Sequence, residues 1–228
     1  MKVAVIVFPG SNCDRDVADA ISMVSGNSPK MVWHAESELP PVDLVILPGG
    51  FSYGDYLRSG AMAAHSPIMH EIFEAAQKGV PILGICNGFQ ILLETGLLPG
   101  VLTRNKKLRF ISKNVFLKVV DIENKFCLNY QKKDVIKLPI AHNEGNFFAS
   151  NELLRRLEDK NLVAFKYCDK NGLINKNSNP NGSSNNIAGI LNNEKNILGM
   201  MPHPERLIDP VLSGVDGSIL FESLFKSH

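Results

Sequence analysis

A short apolar run, Val80-Pro81-Ile82-Leu83, passes through Gly84-Ile85-Cys86-Asn87-Gly88 and into a helical pattern from Phe89 to Thr95. A strand, a glycine turn and a helix in so few residues leave the chain little choice of fold. Strands that feed directly into helices build a parallel sheet covered on both faces. The same pattern recurs upstream. Val3 to Phe8 is a continuous apolar run ended by Pro9-Gly10, the signature of a buried central strand. Ser11 or Asn12 can cap a helix from about Cys13 to Ser25, with Val17, Ala20, Ile21 and Val24 on its apolar face. Met31 to His34 and Leu44 to Leu47 read as the next strands, the second stopped by Pro48-Gly49-Gly50. A helix is expected from Pro67 to Lys78 and a fourth strand from Pro81 to Ile85. The predicted class is α/β, a central, mostly parallel sheet with helices on both faces. Ligands in such sheets bind beyond the carboxyl ends of the strands, where Pro48-Gly49-Gly50 and Cys86 both stand.

The second half has a different texture. Val115 to Asp121 and Leu162 to Tyr167 read as more exposed strands. Residues 171 to 186 are rich in asparagine, glycine and serine, and Asn179-Pro180-Asn181-Gly182 is a strong turn signal. Ile187 to Leu191 and Ile197 to Met201 flank Asn192-Asn193-Glu194-Lys195 as a hairpin, and a last helix is expected from Gly217 to Phe225. No repeat and no linker interrupts the chain, so its 228 residues are expected to form a single domain, 1–228.

Composition narrows the function classes. The chain is 44% hydrophobic and 21% charged, with a net charge of +1. That balance carries no footprint for nucleic acid. The densest basic cluster, Arg104 to Arg109, reads as a solvated loop, with a phosphate-bearing ligand or an acidic partner as the alternative. No apolar stretch approaches the length of a membrane span and no secretory signal is recognisable, so a soluble, cytoplasmic protein is expected. Cys13, Cys86, Cys127 and Cys168 are widely spaced and contain no Cys-x-x-Cys pair; no metal site is expected. In a reducing compartment Cys86 stays a thiol.

A cysteine with a glycine two residues away on each side, between strand and helix, has the form of a nucleophile elbow. The turn pushes the side chain out over the sheet end, and the following helix N-terminus favours the thiolate. A buried cysteine in a glycine-rich turn would read the same from the pentad alone. Met201-Pro202-His203-Pro204-Glu205-Arg206 supplies the second part. The prolines stiffen the segment, and in an extended backbone His203 and Glu205 point the same way. Cysteine, histidine and carboxylate together make the general triad arrangement. Ala141-His142-Asn143-Glu144-Gly145 offers a rival pair, His142 and Glu144.

With these motifs in view, the chain resembles the class I (triad) glutamine amidotransferases. More narrowly, it is similar to the glutaminase subunits of phosphoribosylformylglycinamidine synthase. The resemblance runs through Phe8-Pro9-Gly10-Ser11-Asn12-Cys13, Pro48 to Arg58, Gly84 to Gln90, Pro139-Ile140-Ala141-His142, Asn179 to Ser183 and Met200 to Arg206. One departure is Asn143, where the family pattern Ala-His-Gly-Glu-Gly has glycine. The resemblance implies the class I glutamine amidotransferase (flavodoxin-like) fold. It implies Cys86 as the nucleophile forming a γ-glutamyl thioester, His203 as the base and Glu205 as its orienter, in preference to His142 and Glu144. It implies an oxyanion site made by the Asn87 N–H and one from the loop beginning Gly49-Gly50, and Gln90 in contact with substrate glutamine. No nucleotide-binding loop is recognisable. ATP and Mg are therefore expected on a large synthetase subunit, joined by a small accessory subunit, with no cofactor in this chain. A different cysteine hydrolase of related fold and a regulatory module without catalysis are the alternatives. Gln90 and the Gly49-to-Arg58 match argue against the first, and the intact Cys86, His203 and Glu205 set against the second.

Overall fold

The structure, a computed structural model, describes residues 1–211 and 214–226. Strands β1 (Val3–Val7), β3 (Leu44–Leu47) and β4 (Ile82–Ile85) form at the expected apolar runs, as does β2 (Lys30–Trp33). Every residue of β3 and β4 is buried, which is why these segments are apolar without alternation. Helices α1 (Asp14–Ser25), α2 (Ile68–Gln77) and α3 (Asn87–Glu94) follow β1, the loop after β3, and β4 respectively. The later elements are β5 (Val101–Thr103), β6 (Ile111–Val119), β7 (Val135–His142), β8 (Asn146–Phe148), α4 (Asn151–Asp159), β9 (Val163–Cys168), β10 (Ile187–Leu191), β11 (Ile197–Met200) and α5 (Ser218–Lys226).

Among the described residues, nine strands form one sheet in the order β2-β1-β3-β4-β11-β10-β9-β6-β7, and β5 pairs with β8 separately. Pairing is parallel from β2 to β11. It turns antiparallel from the β10–β11 hairpin outward. Helices flank the sheet, α1 packing with α5, and α3 lying against β3, β4 and β11.

Two expectations need correction. β9 is almost wholly buried rather than exposed, because it lies between β10 and β6 inside the sheet. Its one lysine, Lys166, is satisfied by Glu158 of α4 at 2.5 Å. The asparagine-rich stretch is more than a turn. Asn181 Nδ2 donates to the Gly145 carbonyl at 2.6 Å and Asn186 Nδ2 to the Tyr167 carbonyl at 3.1 Å, fastening the loop to the sheet. β7 and α4 carry only weak signals in the sequence. Pro139 lies within β7 opposite Asn114, a position that a sheet tolerates at an edge, and β7 is an edge strand. Ser150 caps α4, its Oγ accepting from the Leu153 N–H at 3.2 Å.

The parallel half sets the position of the candidate site. The carboxyl ends of β1, β3, β4 and β11 lie side by side and lead into residues 9–13, 48–50, 86 and 201–206. An isolated bridge between Ser11 and Gly50 ties the first two of these loops together.

Candidate active site

Cys86 occupies the sharp turn between β4 and α3 with φ 50° and ψ −103°. A non-glycine residue in this region is strained, typically by about 1–3 kcal/mol, and persists only where its surroundings enforce it. The enforcement is visible on both sides. The Cys86 N–H donates to the Met200 carbonyl at 2.8 Å, carrying the β4–β11 ladder one residue further. Behind it, a Cβ at Gly88 would overlap the Leu47 carbonyl, so only glycine lets α3 start this close to β3. The thiol is buried and lies 3.7 Å from the Ala141 carbonyl oxygen.

His203 leaves the end of β11 in extended conformation, its N–H donating to the Pro139 carbonyl at 2.9 Å. Its Nδ1 meets Glu205 Oε1 at 2.6 Å, and both side chains are buried. The pair forms as expected, by a different route. Residues Pro204–Arg206 make a 3-10 turn rather than an extended strand, with Pro204 at its first position. Proline's fixed φ suits a helical first position, and the tight turn swings the carboxylate back onto the ring. Burial opposes charge on His203. Glu205 and the Cys86 and Cys13 thiols outweigh it and raise the imidazole well above its ordinary range. Gly49 makes room for the ring, since a Cβ there would lie 2.7 Å from His203 Cε1.

A cavity of about 200 Å³ opens between these groups, lined by Cys86, His203, Gly50, Phe51, Phe110 and Arg206, with Asn12, Cys13 and Ala141. A larger groove of about 550 Å³ lies elsewhere, beside Phe73, Leu97 and Asn193, but no cysteine or histidine lines it. Chemistry therefore selects the smaller one. Gly50 lines the cavity directly. Neither Gly49 nor Gln90 lines it: Gly49 packs on His203, and the Gln90 amide is engaged by Asn87 and by the Glu144 carbonyl.

The rival pair separates. His142 Nδ1 faces Asn105 Oδ1 at 3.0 Å, and the Glu144 carboxylate lies 3.9 Å from Arg104. Asn105 Nδ2 donates to the carbonyls of Arg109 and His142, so Oδ1 must accept and His142 Nδ1 carries the proton. Burial, then the charge of His203, lowers His142 to about 4. Asn143 has no positive φ, so glycine is not required there. Its carbonyl accepts the Asn105 N–H at 2.9 Å.

Cys13 is the residue that sequence reasoning left out of the site. Its buried sulfur accepts from Arg206 Nη2 at 3.0 Å, and its N–H reaches the Gly49 carbonyl at 3.3 Å. Its place just past the carboxyl end of β1 was the available signal. The donor atoms of Cys13, His203 and Glu205 lie within 4.8 Å of one another, close enough for a metal ion. The Arg206 guanidinium competes for that sulfur, which disfavours a cation. Cys127 and Cys168 are buried elsewhere, and burial pushes their thiols up to about 12 and about 11.

Residues 1–216 match the model of the CobB/CobQ-like glutamine amidotransferase domain. A protein of Pelagibacter ubique named phosphoribosylformylglycinamidine synthase subunit PurQ is 56% identical over 227 residues, covering 100% of this chain and 99% of that one. A protein of the same name from Rhodospirillum rubrum is 52% identical over 228 residues, with 100% and 99% coverage. Among solved structures, one titled as the structure of PurLQS from Thermotoga maritima matches with a TM-score of 0.85 at 39% identity, covering 99% of this chain and 98% of that one. The chain therefore belongs to the CobB/CobQ-like glutamine amidotransferase family and, within it, to the phosphoribosylformylglycinamidine synthase subunit PurQ family.

Proposed function

We propose that this chain is the glutaminase subunit of phosphoribosylformylglycinamidine synthase. It hydrolyses glutamine to glutamate and ammonia, and the ammonia serves the ATP-dependent conversion of formylglycinamide ribonucleotide to formylglycinamidine ribonucleotide in purine biosynthesis. The observation that carries the proposal is the strained Cys86 beside the buried His203–Glu205 pair. Cys86 Sγ attacks the side-chain amide carbon of glutamine, and His203 takes the thiol proton. The new oxyanion is held by the N–H of Asn87 and by one from the Gly49-Gly50 loop, of which Gly50 lines the cavity. Collapse breaks the C–N bond, and His203 returns the proton to the leaving nitrogen as ammonia departs. Water, giving its proton to His203, then attacks the γ-glutamyl thioester and releases glutamate and the thiol. Glu205 stabilises the imidazolium in both halves of the cycle.

We place ATP and Mg on a large synthetase subunit, with a small accessory subunit completing the complex, all in the cytoplasm. The chain acts as one amidotransferase domain over 1–228. No helix among the described residues is long and apolar enough to cross a membrane. Support for a docked partner comes from the cavity mouth. Phe51 and Phe110 line it with ring centroids 6.4 Å apart, and both are exposed. Contiguous exposed apolar surface marks an interaction site. Ammonia released beneath a docked subunit stays unprotonated on its way to the acceptor. The test is to quench the complex with acid during glutamine turnover and analyse the peptides by mass spectrometry. A γ-glutamyl adduct is expected on the peptide carrying Cys86; an adduct on Cys13 instead would overturn the assignment.

A further inference from the structure

Two loops flank Cys86, one after β3 (residues 48–58) and one between β7 and β8 (residues 143–145). A single chain of hydrogen bonds joins them. The Ser52 N–H donates to Asn87 Oδ1 at 3.2 Å, Asn87 Nδ2 to Gln90 Oε1 at 2.9 Å, and Gln90 Nε2 to the Glu144 carbonyl at 2.7 Å. A side-chain amide can usually be turned end for end, but here both ends of the chain are backbone groups. Glu144 C=O can only accept and Ser52 N–H can only donate, so both amides have one allowed direction. Asn87 and Gln90 are 1% and 7% exposed, which leaves water little access as a substitute partner.

The tethered loop does not hold its own shape cheaply. Tyr53, Asp55 and Leu57 all have positive φ, near 54°, 55° and 68°. Such strain persists only where contacts outside the segment enforce it. Gly50, two residues before the tether point, lines the cavity.

We propose that the Asn87 side chain is a positioning residue for the oxyanion site. It fixes the 50–52 segment relative to Cys86, so that the loop N–H and the N–H of Asn87 itself converge on one oxygen. Through Gln90 it also makes that position depend on the loop between β7 and β8. This inference rests on the glutaminase reading. Loss of the tether weakens stabilisation of charge that develops only in the transition state, so it lowers kcat more than it raises KM. Alkylation of Cys86 by iodoacetamide needs the thiolate but no oxyanion site, and should be spared.

The experiment compares wild type, Asn87→Ala, Ser52→Pro and the double variant, each assembled with its partner subunits. Ser52→Pro removes the same hydrogen bond from its other end, at the second position of the Phe51–Gly54 β-turn, which is closed by the Gly54 N–H on the Phe51 carbonyl at 2.8 Å with Tyr53 at positive φ, a position that favours proline. It also serves if Asn87→Ala fails to fold. Each single variant is expected to lose about 10- to 100-fold in kcat for glutamine hydrolysis, with KM within about threefold and iodoacetamide alkylation within about twofold of wild type. The double variant should be little worse than Asn87→Ala alone, because that substitution already breaks the bond to Ser52 along with the link to Gln90. Unchanged kcat in the folded variants, multiplicative losses, or kcat and alkylation falling together would overturn the proposal. A wild-type complex without Cys86-dependent glutamine hydrolysis would instead overturn the glutaminase reading itself.

Discussion

His203 lies between a carboxylate and two thiols, and each neighbour predicts a different mutational outcome. His203→Ala should reduce glutamine hydrolysis about as severely as Cys86→Ala, because residues that act as a unit are not additive. Glu205→Gln should retain more, since an amide oxygen still accepts from Nδ1 while the charge that stabilises imidazolium is gone. Steady-state kinetics on the three variants decide it. His142→Ala as damaging as Cys86→Ala, with His203→Ala still active, would mean that the wrong histidine has been assigned. Cys13→Ala should cost far less than Cys86→Ala, because Cys13 lacks the enforced elbow, although it shares the cavity. Cys86, His203 and Glu205 were legible in the sequence because glycines and prolines mark the turns that carry them. Cys13 was not, since its partners Arg206 and Gly49 lie far away in sequence and meet it only after β1, β3 and β11 align. Nor was the hydrogen bonding of Gln90, since Glu144 reaches it only once the sheet has formed.

At the scale of elements, two packing arrangements make testable demands. Gly88→Ala improves helix propensity in α3 but drives a methyl into the Leu47 carbonyl. It should therefore destabilise by about 1–3 kcal/mol in urea unfolding and disturb the elbow; a stabilised variant would refute the close approach. His142, at the end of β7, is held neutral, lowered from 6.5 to about 4 in the folded state. The unfolded chain binds that proton first, so its stabilisation is full above about pH 6.5 and is lost as pH falls toward 4. The loss amounts to about 3 kcal/mol at most. His142→Asn, which offers a donor where Nδ1 stands, should lose less stability than wild type between pH 7 and pH 4.5; equal losses would contradict the assignment. Runs such as Leu44–Leu47 were readable because strands buried on both faces are apolar throughout. β7 was hidden by Pro139, and α4 by an exposed surface with only Leu157 buried. The burial of β9 depends on pairing partners 21 to 52 residues away in sequence.

The whole molecule gathers its chemistry at one sheet end, where the exposed side chains of Phe51 and Phe110 line the cavity. Glutamine hydrolysis by the isolated chain should be slow, and should rise when the synthetase and accessory subunits are added and again with ATP and acceptor, as docking favours the competent loop conformation. Equal turnover in all three conditions would mean a preformed site. The central claim is that thiol chemistry resides in this chain and acceptor chemistry in its partner. The most direct measurement is product formation by the reconstituted complex carrying Cys86→Ala, supplied in parallel with glutamine or with an ammonium salt. Glutamine-dependent synthesis should vanish while ammonia-dependent synthesis stays near the wild-type rate. Full glutamine-dependent synthesis, or loss of both activities from an intact complex, would contradict it.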